Sequence, residues 1–281
     1  MSTRRSLGIA DPPTGRVVTG NYLRYLREDN KLTAAEVRGR VPLSNSAMSR
    51  IESAGRAVSA SEATALLSAY GVTEHEGFIR LVSQTGRQAA ADMYQAAADD
   101  HQGWSDRLAA LEYRAVAASF FNMVLIPRCL QVPEYTAACY VLPNAGNLVP
   151  RPASVGAPGA TMVLEASVLA RPVGGTAAFA DQIQHLIDAV DQGLIRLRVM
   201  PMDAQVYAPD VNVTELVLPD GVRLYATENW GARYRGGADE EVRTGEFLQR
   251  AAAASLPEAE SRALLEHNRD AAVKGKPLLH L

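Results

Sequence analysis

Asn45, Ser46, Ser49 and Arg50 are three short hydrogen-bonding side chains and one cation, spaced so that a helix would carry all four on one side. Donors and acceptors of that kind on a slim helix suit base edges in a major groove. A second set lies in the other half of the chain: Arg128, Glu165, Tyr225, Glu228 and Trp230. Two carboxylates, a guanidinium and two rings are the chemistry of a small-molecule pocket. In an enzyme, Glu165, Glu228 or Tyr225 would handle the proton, assisting a rearrangement or cyclisation. The same residues also fit a structural role, with the glutamates paired to arginines at strand edges and Tyr225 and Trp230 in a core or an interface.

Other chemistries lack their residues. There is no HExxH, CxxC or GxSxG, and the glycine pairs at Gly174–Gly175 and Gly236–Gly237 lack the setting of a phosphate loop. His75, His101, His185, His267 and His280 are scattered without ligand spacing, so neither metal nor cofactor is expected. Cys129 and Cys139 are the only cysteines and are read as buried thiols, not a disulfide.

The elements that must position these residues follow from patterning. In residues 32–52, Leu32, Val37, Val41 and Leu43 mark a helix and a tight turn, Ser44 is an N-cap, and Met48 and Ile51 recur three apart on a second helix. A preceding helix is expected over about Thr19–Asn30, with Tyr22, Leu23 and Leu26 inward. A fourth is capped by Ser59 or Ser61 and ends at Gly71, and a fifth runs over about Glu74–Ala90. From Leu108 the texture changes. The runs ATMVLEASVL, LIRLRVMP, NVTELVLP and VRLYATEN are β-rich, LPDG (218–221) is a hairpin turn, and Phe179–Val190 is an amphipathic helix. A helix begins at Pro133, and Asp239–Ala253 and Pro257–Asn268 close the chain. Pro143–Gly159 reads as a mobile loop or lid. The expected organisation is a flexible arm (1–15), a helix-turn-helix domain (16–90), a linker or connecting helix (91–107) and an α+β domain with a small, mainly antiparallel sheet (108–281).

At 281 residues and 47% hydrophobic, the chain has room for two ordinary cores. Its net charge is −3, yet residues 1–60 carry ten Lys/Arg against five acids, a local excess that can follow phosphates. No run is long and apolar enough for a membrane span, and MSTRRSLGIADPPTG has no apolar core of a signal peptide. A cytoplasmic protein is expected.

The motifs LRYLREDNKLT (23–33), SNSAMSRIES (44–53) and VSASEATALLSAYGV (58–72) resemble the lambda-repressor/Cro-like helix-turn-helix proteins of the xenobiotic-response-element type. LIPRCLQVPEYTAA (125–138), LEASVLARPVG (164–174), LIRLRVMP (194–201) and LPDG are similar to a bacterial, actinomycete-type group in which that module precedes a C-terminal domain of unassigned function. The resemblance implies a five-helix bundle whose recognition helix is Ser44–Ser53. It implies base-edge or phosphate contacts from Asn45, Ser46 and Ser49, and phosphate contacts from Arg50 and Arg56. The chain departs from the pattern in several places. Ala34 replaces a bracing Gln, and Ala47 replaces a residue that is often basic. Arg38 stands where a small Ala packs between the two helices, and an arginine there would have to displace something. Pro42 stiffens the turn, and Arg128–Cys129 replace a Gly–Leu pair.

The expected function is a transcriptional regulator, more a binding protein than an enzyme, reading a double-stranded DNA operator as a homodimer. Its second domain would bind an effector or a partner protein, or dimerise. The alternatives are an enzyme or small-molecule-binding protein on a repurposed body that no longer reads DNA, and a protein–protein adaptor.

Overall fold

The computed structural model describes residues 12–73, 75–87, 96–139, 159–206, 212–228 and 230–279. The expected arm and the loop Pro143–Gly159 fall mostly on 1–11 and 140–158, outside the described residues.

α1 spans Thr14–Asp29, five residues earlier than the pattern indicates. Pro13 precedes it, and its carbonyl accepts from Arg16 and Val17 N–H at 2.9 and 3.1 Å. Asn30 Nδ2 caps the last turn by donating to Leu26 O at 2.8 Å. α2 (Ala34–Arg38), α3 (Asn45–Glu52), α4 (Ala60–Ala69) and α5 (Glu76–Arg87) follow. Ser59 is the cap of α4, in a capping box with Glu62. Gly71, at φ +75°, takes the left-handed step just past the end of α4.

Ala96–Asp99, expected within a connecting segment, is strand β1, and α6 runs over Trp104–Arg114. Then come β2 (Ala117–Asn122), a 3₁₀ turn at Arg128–Leu130, α7 (Pro133–Cys139), β3 (Ala160–Glu165), α8 (Ala166–Leu169), α9 (Gly175–Asp191) and β4 (Ile195–Met200). β5 (Asn212–Val217) and β6 (Arg223–Glu228) flank the LPDG turn, followed by β7 (Ala232–Arg235), α10 (Ala238–Ala254) and α11 (Glu258–Val273).

The strands among the described residues form a seven-stranded mixed sheet in the order β1-β7-β6-β5-β2-β3-β4. This corrects the small, mainly antiparallel sheet expected from the sequence. β1 and β6 are antiparallel to β7, with Ala97 opposite Tyr234 and Ala226 opposite Tyr234. β2 and β4 are parallel to β3, with Phe121 opposite Val163 and Val163 opposite Arg198. The parallel strands are covered on both faces, so Met162, Val163 and Leu164 are all buried in succession. Such a run lacks the alternation that marks a half-exposed strand.

Two compact units divide the chain: Met1–Arg114 with Val217–Glu241, and Ala115–Leu216 with Val242–Leu281. In the first, α1 is the central helix. Its Val17, Val18, Leu23 and Leu26 are buried, Tyr22 meets Phe78 at 5.1 Å between rings, and Tyr25 meets Tyr113 edge-on at 5.5 Å. β1 is tied to α6 by a buried ion pair. Arg107 Nε and a terminal nitrogen each donate to Asp99 at 2.7 Å, and the guanidinium also serves the carbonyls of His101 and Gln102. In the second unit, Phe121, Val163, Met200, Val213, Leu248 and Ala251 form a core, with Phe247 edge-on to Phe121. Buried Gln182 of α9 accepts from Val132 N–H and donates to Leu130 O, both at 2.8 Å, which fixes the Arg128–Leu130 turn. Among the described residues, no helix is long and apolar enough to cross a membrane.

Candidate nucleic-acid interface

Two caps and a turn build the helix pair. Thr33 starts α2 with a capping box: its hydroxyl accepts from Glu36 N–H at 3.3 Å, and the Glu36 carboxylate accepts from Thr33 N–H at 2.7 Å. Arg40 and Val41 N–H both donate to Val37 O, at 2.9 and 3.1 Å, which ends the helix with Val37 and Val41 buried. Ser44 Oγ then accepts from Ala47 N–H at 3.1 Å and starts α3.

α3 turns Met48, Ile51 and Glu52 inward and leaves Asn45, Ser46, Ser49 and Arg50 exposed. Among the described residues these four side chains make no hydrogen bond or ion pair with protein, so their hydrogen-bonding groups are open to a ligand. Three contacts hold the helix behind them. Gly20 of α1 lies so near that a Cβ there would meet Ile51 O at 2.2 Å, so only glycine permits this approach. Arg27 forms a two-pronged pair with Glu52, Nε to Oε1 at 2.7 Å and a terminal nitrogen to Oε2 at 2.9 Å. The other terminal nitrogen of Arg27 donates to Leu32 O at 2.9 Å, binding the start of the helix pair to the end of α3. The Glu52 hydrogen bond holds the Arg27 pKa above its ordinary value. Tyr70 lies beside this pair with its hydroxyl buried and without a partner among the described residues. Burial first, then the charge of Glu52, pushes its ionisation up.

The departures from the family pattern sit quietly. Arg38 was expected to crowd the space between the helices; as the last residue of α2 it points to solvent and displaces nothing. It has no partner among the described residues and adds another open cation to the module. Pro42 is exposed, and Ala34 and Ala47 are half-buried. Arg56 is differently placed: its guanidinium donates to Glu62 at 3.1 and 2.8 Å and to Ala57 O at 3.0 Å. The Arg56 hydrogen bond, aided by Ser59, draws the Glu62 carboxyl down to about 2. A phosphate at Arg56 would compete with a carboxylate already in place.

The pocket set is divided between the two units. Arg128 opens the 3₁₀ turn and Glu165 ends β3, where its carboxylate accepts from Ser167 Oγ; both are half-buried in the second unit. Tyr225, Glu228 and Trp230 belong to the first unit. Tyr225 is 2% exposed and Trp230 is 78% exposed. Tyr225 and Glu228 are three apart on β6, which places them on opposite faces of the sheet. Cys129 and Cys139 are free and half-buried, and burial raises the Cys139 thiol to about 11. Among the described residues, no cluster of His, Cys, Asp and Glu is placed to hold a metal ion.

Sequence reasoning passed over the Arg27–Glu52 pair, although a signal existed. Arg27 follows Leu23 by four and Glu52 follows Met48 by four, so each charge sits on a buried stripe. A charge on such a stripe calls for a buried partner.

A family model described as a helix-turn-helix domain matches residues 19–76. A model described as a domain of unknown function (DUF5753) matches residues 105–267. No curated protein and no solved structure matches the chain.

Proposed function

The chain belongs to the family of that domain of unknown function, DUF5753, and we propose that its helix-turn-helix domain makes it a DNA-binding transcriptional regulator. The observation that carries this reading is the free polar side of α3: Asn45, Ser46, Ser49 and Arg50 exposed on a helix whose opposite side is clamped to α1. Base edges supply the donors and acceptors these side chains lack, and phosphates answer the excess charge of the module. We further assign it a roughly palindromic operator read by a homodimer, since paired modules of this type meet half-sites about one helical turn apart. The second unit is assigned to effector or partner binding, with Arg128 and Glu165 as its first residues to test.

Selection of duplexes from a random library by the intact chain, followed by titration at several salt concentrations, tests the reading. A short enriched motif bound with steep salt dependence supports it. Absence of any enriched motif at low ionic strength overturns it.

A further inference from the structure

We infer that the Leu218–Val222 turn is a positioning element for the reading helix, so that DNA recognition by the first eighty residues depends on a hairpin tip supplied from far downstream. The inference rests on the function proposed above. Past the end of α3, Ala54 adopts φ +58°, the left-handed region where a side chain is strained and glycine is favoured. Its methyl is nonetheless buried, at 3% exposure, in a cluster with Val17 of α1 and with Leu218 and Val222. The residue that leaves the reading helix therefore carries a strained backbone and a methyl buried in a cluster that the hairpin tip helps to build.

The tip is a firm seat. Gly221 N–H donates to Leu218 O at 2.8 Å, Leu218 N–H to Val222 O at 2.9 Å, and Val222 N–H to Asp220 Oδ1 at 3.3 Å. Gly221, at φ +80°, closes the Pro-Asp-Gly turn. On the helix side, Ala54 N–H donates to Ile51 O at 3.0 Å and Arg56 N–H to Arg50 O at 3.1 Å. The exit loop is thus folded back on the last turn of α3, the turn that carries Ser49 and Arg50. Gly20 and Arg27 fix this helix against α1, and Ala54 fixes its exit against the hairpin. The third support is the one a substitution can remove without touching either the exposed face or the clamp.

The test uses full-length chains, the duplex enriched by the parent chain, and a scrambled duplex of equal length. Ala54→Gly removes the methyl and relieves the backbone, so the melting temperature stays near that of the parent. Its affinity for the enriched duplex falls by about 3- to 30-fold, the usual reach of a substitution that touches neither ligand. Affinity for the scrambled duplex, which follows phosphates, stays level. Leu218→Ala weakens enriched-duplex binding likewise and speeds amide exchange at Ile51–Ala54; if it unfolds the unit, Ala54→Gly decides. Parent-level affinity in Ala54→Gly overturns the inference while leaving the DNA reading intact. A parent chain that enriches no duplex removes that reading. Unchanged exchange at Ile51–Ala54 in a folded Leu218→Ala chain removes the inference whatever the DNA result.

Discussion

Arg50 and Arg56 are both arginines of the module, but only one has its charge to spare. Arg50 is exposed without a partner among the described residues, whereas Arg56 is occupied by Glu62. Arg50→Ala is expected to weaken binding to all duplexes and lower the slope of log affinity against log salt by about one, as loss of one phosphate contact does. Ser49→Ala should instead change the enriched motif at one position, with a discrimination change of about 1–3 kcal/mol. Titration of both variants at four salt concentrations separates the two outcomes. The Arg56–Glu62 pair predicts a pH effect. The Glu62 carboxyl is drawn from 4.5 in the unfolded chain to about 2 in the folded one. Its contribution is therefore complete above about pH 4.5 and disappears as the pH falls toward 2. Glu62→Gln should lower stability at pH 7 by about 1 kcal/mol, and its melting curve should converge with the parent's in acid. The open residues of α3 were legible from spacing alone, because Met48 and Ile51 fix which side faces in. The pairing of Arg56 was less so, since it needs the conformation of the loop between α3 and α4.

Among elements, α1 decides the placement of α3 through one missing methyl and one ion pair. Gly20→Ala raises helix propensity, yet it puts a Cβ 2.2 Å from Ile51 O and must push the helices apart. A net loss of about 1–3 kcal/mol is expected, read as a lower midpoint in denaturant with an unchanged slope. Unaltered stability would show that the helices separate freely. Glu52→Gln removes the two-pronged carboxylate from Arg27, leaving only Glu28 at 3.7 Å, and should cost about 2 kcal/mol. Helix positions came through the sequence well: Leu23 and Leu26 of α1, Met48 and Ile51 of α3 and the expected stripe of α4 are buried, and Ser44 and Ser59 cap the starts of α3 and α4. The β-rich runs contain β3, β4, β5 and β6, but the size and mixed pairing of the sheet did not come through. β4 is the clearest, alternating Ile195, Leu197 and Val199 inward with two arginines outward. β2 and β3 present buried residues on both faces, and β1 is four small or acidic residues with no apolar run.

At the scale of the whole molecule, the helix-turn-helix module is not a self-contained piece of the chain. α6, β1, β6 and β7 share its unit. Tyr113 lies against Tyr25, Arg114 reaches Asn21 and Glu28, and Arg107 is buried on Asp99. A fragment of residues 1–90 should therefore melt well below the full chain and with a broader transition, as followed by circular dichroism. A sharp transition at the same temperature would sink this expectation. Nothing in residues 1–90 announces the dependence, because the signal lies in a strand pairing, Ala97 with Tyr234, between segments distant in sequence. That same return of the chain sets a timetable for synthesis. The unit cannot close until Glu241 has emerged, and at about 5–20 residues per second the nascent chain waits roughly 6–25 s after Arg114. A ribosome that has not yet made Glu241 carries a half-built unit, and the grip on DNA proposed for it would come only with those downstream strands.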